Sequence, residues 1–221
     1  MKKIALFLVF SVSILTGFSQ EEEGYLQYNI DVQAVDTSLH ARQQAGLLRN
    51  SKMEIFFSQD FSRVDFEMGT MYKLSAVVNM KTNRTISLMS GAIGKLATRT
   101  VTVDPAVSEE ESENSVELVD ETKTILQYEC KKAILTVDGM QSTYWYTEEI
   151  DVDISGQQIS NALIPGFPLE FYTVSEGVMM HFTASNIEFE LENKEELFYE
   201  GIPAGYTLMQ DVDDPSVGMG K

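Results

Sequence analysis

Reactive chemistry in this chain would have to come from a small set of side chains. Cys130 is the one cysteine, and His40 and His181 are the two histidines. A cysteine nucleophile needs a base or a positive neighbour to hold it as thiolate. No motif joins Cys130 to either histidine, and a single thiol cannot close an internal disulfide. It is expected to be a buried small hydrophobe. His181 lies beside Met179 and Met180 on an apolar strand, where a hydrogen-bonded packing role is expected. Two histidines so far apart make no His-rich metal site. Glu149, Asp151 and Asp153 share one face of a strand end, and Asp211, Asp213 and Asp214 cluster near the C-terminus. Calcium favours such oxygen-rich sets, but neither has the spaced loop of an EF-hand, and both read as solvated surface. No G-x-S-x-G, H-E-x-x-H, C-x-x-C or phosphate-cradling glycine loop is present. No carboxylate pair is marked as buried, so a glycosidase reading lacks support. From these residues the chain reads as not an enzyme, with no cofactor and no metal.

The apolar residues point to binding instead. Tyr144-Trp145-Tyr146, Phe167, Leu169, Phe171, Met179, Met180 and Phe182 crowd into neighbouring strands. Such residues fill an ordinary core or line a concave face that holds an apolar ligand, which methionine suits because it adapts to irregular shapes. On the second reading the ligand-binding set is Tyr144, Tyr146, Leu169, Phe171, Met180 and Phe182.

The elements that must position these residues are strands. Leu26, Tyr28, Ile30 and Val32 alternate with polar residues, and Met53, Ile55 and Phe57 do the same. Val64, Phe66 and Met68, then Tyr72, Leu74, Ala76 and Val78, then Ile86 and Leu88 follow the pattern. Period-2 alternation marks sheets with one buried face. The links between the runs are short and rich in turn residues, which predicts antiparallel hairpins. Asp138-Gly139 and Ser175-Glu176-Gly177 predict two more. Helical character is confined to His40–Asn50, with single turns expected at Gln157–Leu163 and Glu195–Tyr199. In the last long strand Met180, Phe182 and Ala184 occupy even positions, whereas Ile187, Phe189 and Leu191 occupy odd ones. A strand changes its buried face only by absorbing an extra residue, so a bulge is predicted at Ser185-Asn186.

The 221 residues carry a net charge of −18. So acidic a surface repels phosphate backbones and argues against nucleic-acid partners. Lys2, Lys3 and the apolar run from Ile4 to Leu15 read as a cleaved export signal over residues 1–19, too short to span a bilayer, and no later segment is apolar enough to span. Residues 20–210 then form a single β domain, interrupted by an acidic, mobile loop at 104–122, and residues 211–221 form a flexible tail. The predicted address is the periplasm, with an outer-membrane-associated or extracellular location as the alternative.

Five stretches in order, YECKKAIL, YWYTEEI, IPGFPLEF, MMHFTASNIE and LFYEGIPAGYTLM, run from Tyr128 to Met209. In these the chain resembles an uncharacterised family of exported Bacteroidota proteins related to the LolA/LolB-like lipoprotein carriers. The resemblance implies a mainly β fold: a strongly curved antiparallel sheet, a half-barrel, with a few short helices on the concave side. It also implies a function, burial of a lipid or lipoprotein acyl chain against the six residues named above. The alternative is an envelope module whose core is filled by its own side chains and whose partner is another envelope protein.

Overall fold

The computed structural model describes residues 23–92, 94–101, 115–137, 139–150 and 163–211. An eleven-residue strand, β1 (Gly24–Ala34), leads into helix α1 (Leu39–Leu47). Five strands joined by tight turns follow: β2 (Lys52–Phe57), β3 (Phe61–Met68), β4 (Tyr72–Asn79), β5 (Arg84–Gly91) and β6 (Gly94–Val101). A second run comprises β7 (Ser115–Ile125), β8 (Tyr128–Val137), β9 (Met140–Thr147), β10 (Phe167–Ser175) and β11 (Val178–Glu188). One helical turn, α2 (Lys194–Leu197), and a last strand, β12 (Thr207–Asp211), complete the order. The twelve strands of the described residues belong to one open sheet, in the order β12-β6-β5-β4-β3-β2-β1-β11-β10-β9-β8-β7. Every pairing is antiparallel except that of β12 with β6. The expected class, mainly β with one large unclosed sheet and few helices, is the one found.

Alternation sorts the residues onto two faces. On the core face, Leu26, Tyr28, Met53 and Ile55 meet Ala133, Leu135, Tyr144, Phe171 and Phe182 in one apolar cluster. Tyr28 is fully buried, and its hydroxyl donates to the Pro168 carbonyl, which satisfies the one polar atom it carries inward. Helix α1 covers the far end of this face. The Ser38 side chain caps it by accepting from the Ala41 N–H at 3.1 Å, and Ala41, Ala45 and Leu48 pack on Val178, Val32 and Ala34. The β10–β11 turn places Glu176 and Gly177 at φ of 50° and 74°, the left-handed pair that a two-residue hairpin of matching twist requires.

The predicted bulge is present. Gln27 faces Asn186 while its neighbour Tyr28 faces Ala184, so Ser185 is the extra residue, and its hydroxyl donates to the Gln27 carbonyl. Phe182 and Ala184 on one side of it and Ile187 on the other all reach the core cluster. The regular strand ends at Glu188, before the expected Leu191.

Three expectations change. The acidic stretch expected to loop as far as Thr122 already enters β7 at Ser115. Asp211, expected to open a flexible tail, closes β12 and is buried against Arg99 at 2.9 Å. The single turn expected at Glu195–Tyr199 is present but starts one residue earlier and ends at Leu197. The export signal at 1–19, the turn expected at 157–162, and residues 104–114, 151–153 and 212–221 lie outside the described residues. Among the described residues no helix is long and apolar enough to cross a membrane.

Candidate functional site

The six residues expected to hold a ligand do come together, inside the core cluster. Tyr144 stacks on Phe171 with ring centroids 5.5 Å apart, and Phe171 stacks on Phe182 at 4.5 Å. Leu169 and Tyr146 are buried beside them, and Met180 packs against the cluster from its margin. Cys130 is likewise fully buried; loss of solvent pushes its thiol pKa up to about 11, the opposite of what a nucleophile needs.

Polar chemistry gathers on the second face of the same strands. Glu170 sits between Leu169 and Phe171 on β10, where a bulge against β9 leaves Leu169 opposite no residue and turns Glu170 outward, level with Trp145. Its residue exposure is nonetheless only 8%. Lys123 of β7 reaches across β8 and β9 to place its ammonium 2.6 Å from one carboxylate oxygen. His181 Nε2 lies 3.1 Å from the other, and the Tyr172 hydroxyl donates to that same oxygen at 3.2 Å. The Tyr172 and His181 rings stack at 4.1 Å, 9° from parallel, and Thr183 Oγ1 lies 3.2 Å from His181 Nε2. Lys123 also stands 4.2 Å from the centre of the Trp145 ring, a cation–π contact.

Burial drives the Glu170 pKa upward, but the hydrogen bond and charge of Lys123, with those of His181, outweigh it and leave the carboxyl below its ordinary value. Glu170 is therefore an ionised acceptor, and it holds His181 by Nε2. With Nε2 directed at the carboxylate and one ring face against Tyr172, the imidazole is fixed in orientation. Burial, then the nearby Glu170 charge, raises the Tyr172 phenol, which stays a donor. The result is a rigid surface of two aromatic faces, an oriented imidazole and a fully partnered carboxylate. Such a surface can bind a ligand with both apolar faces and hydroxyl edges, and it carries the carboxylate-oriented imidazole that acid–base chemistry uses. Among the described residues no group of three or more His, Cys, Asp and Glu side chains is placed to hold a metal.

Sequence reasoning placed His181 as a hydrogen-bonded residue but missed its partner. The signal was available. A two-residue turn at Glu176-Gly177 sets Tyr172 opposite His181 and Glu170 opposite Thr183. A lone carboxylate inside an apolar strand, one diagonal step from a histidine, is then a predicted pair.

The model of the family described as N-glycanase peptide, N-terminal domain, matches residues 75–196. The chain belongs to this family. Among solved structures it is similar to PNGF-II in space group P21, at 17% identity and a TM-score of 0.49, over 86% of this chain and 32% of that one. The C2 form of PNGF-II gives 17% identity and a TM-score of 0.46, over 86% and 31%. The chain thus spans about a third of the length of the PNGF-II structures. A LolA superfamily protein, NE2245 from Nitrosomonas europaea, is similar at 10% identity and a TM-score of 0.21, over 80% of this chain and 90% of that one. No curated protein matches. Membership of the N-glycanase family overturns the expected non-catalytic carrier of lipid or acyl chains, and it gives no better support to the envelope-docking alternative. It also overturns the expectation that the chain is not an enzyme, since the family takes its description from an enzyme, of which the N-terminal domain is matched. The relation to LolA-like proteins is distant.

Proposed function

We propose that this chain works in the removal of N-linked glycans from glycoproteins, and that the second face of β9, β10 and β11 is where it meets carbohydrate. One observation carries the reading: Lys123, Trp145, Glu170, Tyr172 and His181 all fall within the stretch that matches the N-glycanase N-terminal domain. Sugar rings present flat C–H faces and hydroxyl edges. Trp145 and Tyr172 offer aromatic surface to the first, and His181 and Thr183, held in place by Glu170, offer polar atoms to the second. The Lys2-Lys3 start and the apolar run behind it suit an exported chain, which would meet glycoproteins outside the cell.

The test titrates the full chain, isotopically labelled, with a glycopeptide bearing an N-glycan, and follows the same mixture by mass spectrometry. The expected result is a shift of the Trp145 indole and its neighbours that the glycan-free peptide does not cause. Glu170→Gln, which weakens the hold on His181 and Tyr172, should weaken binding about tenfold. Release of the glycan with conversion of its Asn to Asp would place the hydrolysis in this chain. Binding without release would make the face a glycan-holding part of a glycanase. Neither binding nor release would overturn the proposal.

A further inference from the structure

A second site lies away from this face and stands independently of the carbohydrate reading. After β11 the chain turns through α2 and crosses the second face of β3, β4 and β5 before joining β6 as β12. This strap is anchored at several points. Phe198 stacks on Phe61 at 5.5 Å, Arg63 donates to the Leu197 carbonyl at 2.9 Å, and Asn79 donates to Glu200 at 3.1 Å. Tyr199 stands between these anchors yet remains 60% exposed. Its ring rests on the backbone of Gly201: a Cβ there would lie 2.1 Å from the phenol oxygen. A tyrosine ring seated over a glycine and largely open to solvent is a surface on which a ligand can stack, as tyrosine does at interfaces.

Two clefts meet at this residue, of about 620 Å³ and 420 Å³, and Glu195 and Tyr199 line both. The larger is walled by the rings of Phe61, Phe198 and Tyr199. Four carboxylates line it, Glu23, Asp60, Glu195 and Glu200, against a single ammonium, Lys194, which pairs with Glu23. Asp60 pairs with Lys81 at the rim. The charge left over is negative and the walls are aromatic.

We propose that the larger cleft binds the arginine side chain of an extended polypeptide. A guanidinium is planar, stacks on aromatic faces and meets carboxylates through paired N–H groups, so it satisfies both features of the cleft at once. The smaller cleft, with Val77, Leu88 and Pro203 in its wall, adjoins it across Tyr199 and gives the bound chain somewhere to continue.

The experiment titrates the full chain with a blocked peptide, acetyl-Gly-Arg-Leu-Gly-amide, and with the same peptide carrying citrulline for arginine, which keeps the shape and removes the charge. Amide shifts are expected around Asp60, Glu195 and Tyr199, with at least fivefold weaker binding of the citrulline peptide and weaker binding as salt is raised. Tyr199→Ala, an exposed change that should leave the melting temperature nearly unmoved, should weaken the arginine peptide about tenfold. Glu195→Gln is a second variant with intact packing, expected to lose affinity and salt dependence together. Equal binding of the two peptides, shifts that map elsewhere, or unchanged affinity in both variants would overturn the proposal.

Discussion

Glu170 shows how one buried charge is made tolerable. An uncompensated carboxylate at 8% exposure would be costly, and here Lys123, His181 and Tyr172 all direct hydrogens to it. Because its pKa is lowered in the folded chain, the linkage has a definite sign. The stabilisation is complete above about 4.5, the ordinary value, and is lost as pH falls through the lower folded value. Glu170→Gln should therefore cost about 2 kcal/mol at neutral pH. The difference from the parent chain should shrink on acidification below about 4.5, as urea denaturation at a series of pH values would show. A pH-independent difference would mean that the carboxylate charge is not what stabilises. At this scale the sequence was partly legible. A lone cysteine among apolar residues reads as buried, and Cys130 is. The Glu170–His181 pair is legible once the β10–β11 hairpin register is drawn, but the Lys123 partner is not, because it lies on β7, three strands away.

Elements were legible where local physics decides them. Alternation and turn residues sufficed for β1 to β5, for the β10–β11 hairpin and for the bulge at Ser185. They failed at β7, where acidic residues guard an edge strand and a bulge between Val119 and Thr122 breaks the alternation. They failed again at β12, whose partner β6 lies more than a hundred residues earlier and whose fastening is the Arg99–Asp211 pair. One hairpin carries a mismatch between residue and backbone. Leu126, in the β7–β8 turn, is held at φ 55°, a conformation that costs a β-carbon residue about 1–2 kcal/mol, and its side chain is 47% exposed. Leu126→Gly removes the strain without opening a cavity and should raise stability by about 1 kcal/mol, read as a higher Tm. A lower Tm would show that the leucine side chain contributes packing that its exposure conceals.

For the whole molecule, the strand order fixes how far the chain must travel between strands that follow one another in sequence. The chain passes from β6 to β7, ten strand positions apart, which is about 48 Å across a flat sheet. The thirteen residues between Val101 and Ser115 reach about that far only when fully stretched. A flat sheet of this order would leave that connection taut, and the bulges in β7, β10 and β11 are the points at which strands bend. The β11 bulge is legible in the residue pattern, whereas the order of the strands is not, since it depends on which strands are neighbours. The order also divides the sheet into two meanders, β1 to β6 and β7 to β11, each made of sequence-adjacent hairpins. They meet at one seam, where the first strand pairs with the eleventh over ten residue pairs. That seam sets the timing of folding. Hairpins close in microseconds, whereas β1 must find a strand some 150 residues away, and loop closure over such a span is slow. In pulse-labelling hydrogen exchange, amides of β3 to β5 should gain protection before those facing each other across β1 and β11. On a ribosome the first strand would emerge with its eventual neighbour not yet made, its β11-facing edge bare until the sheet is nearly complete.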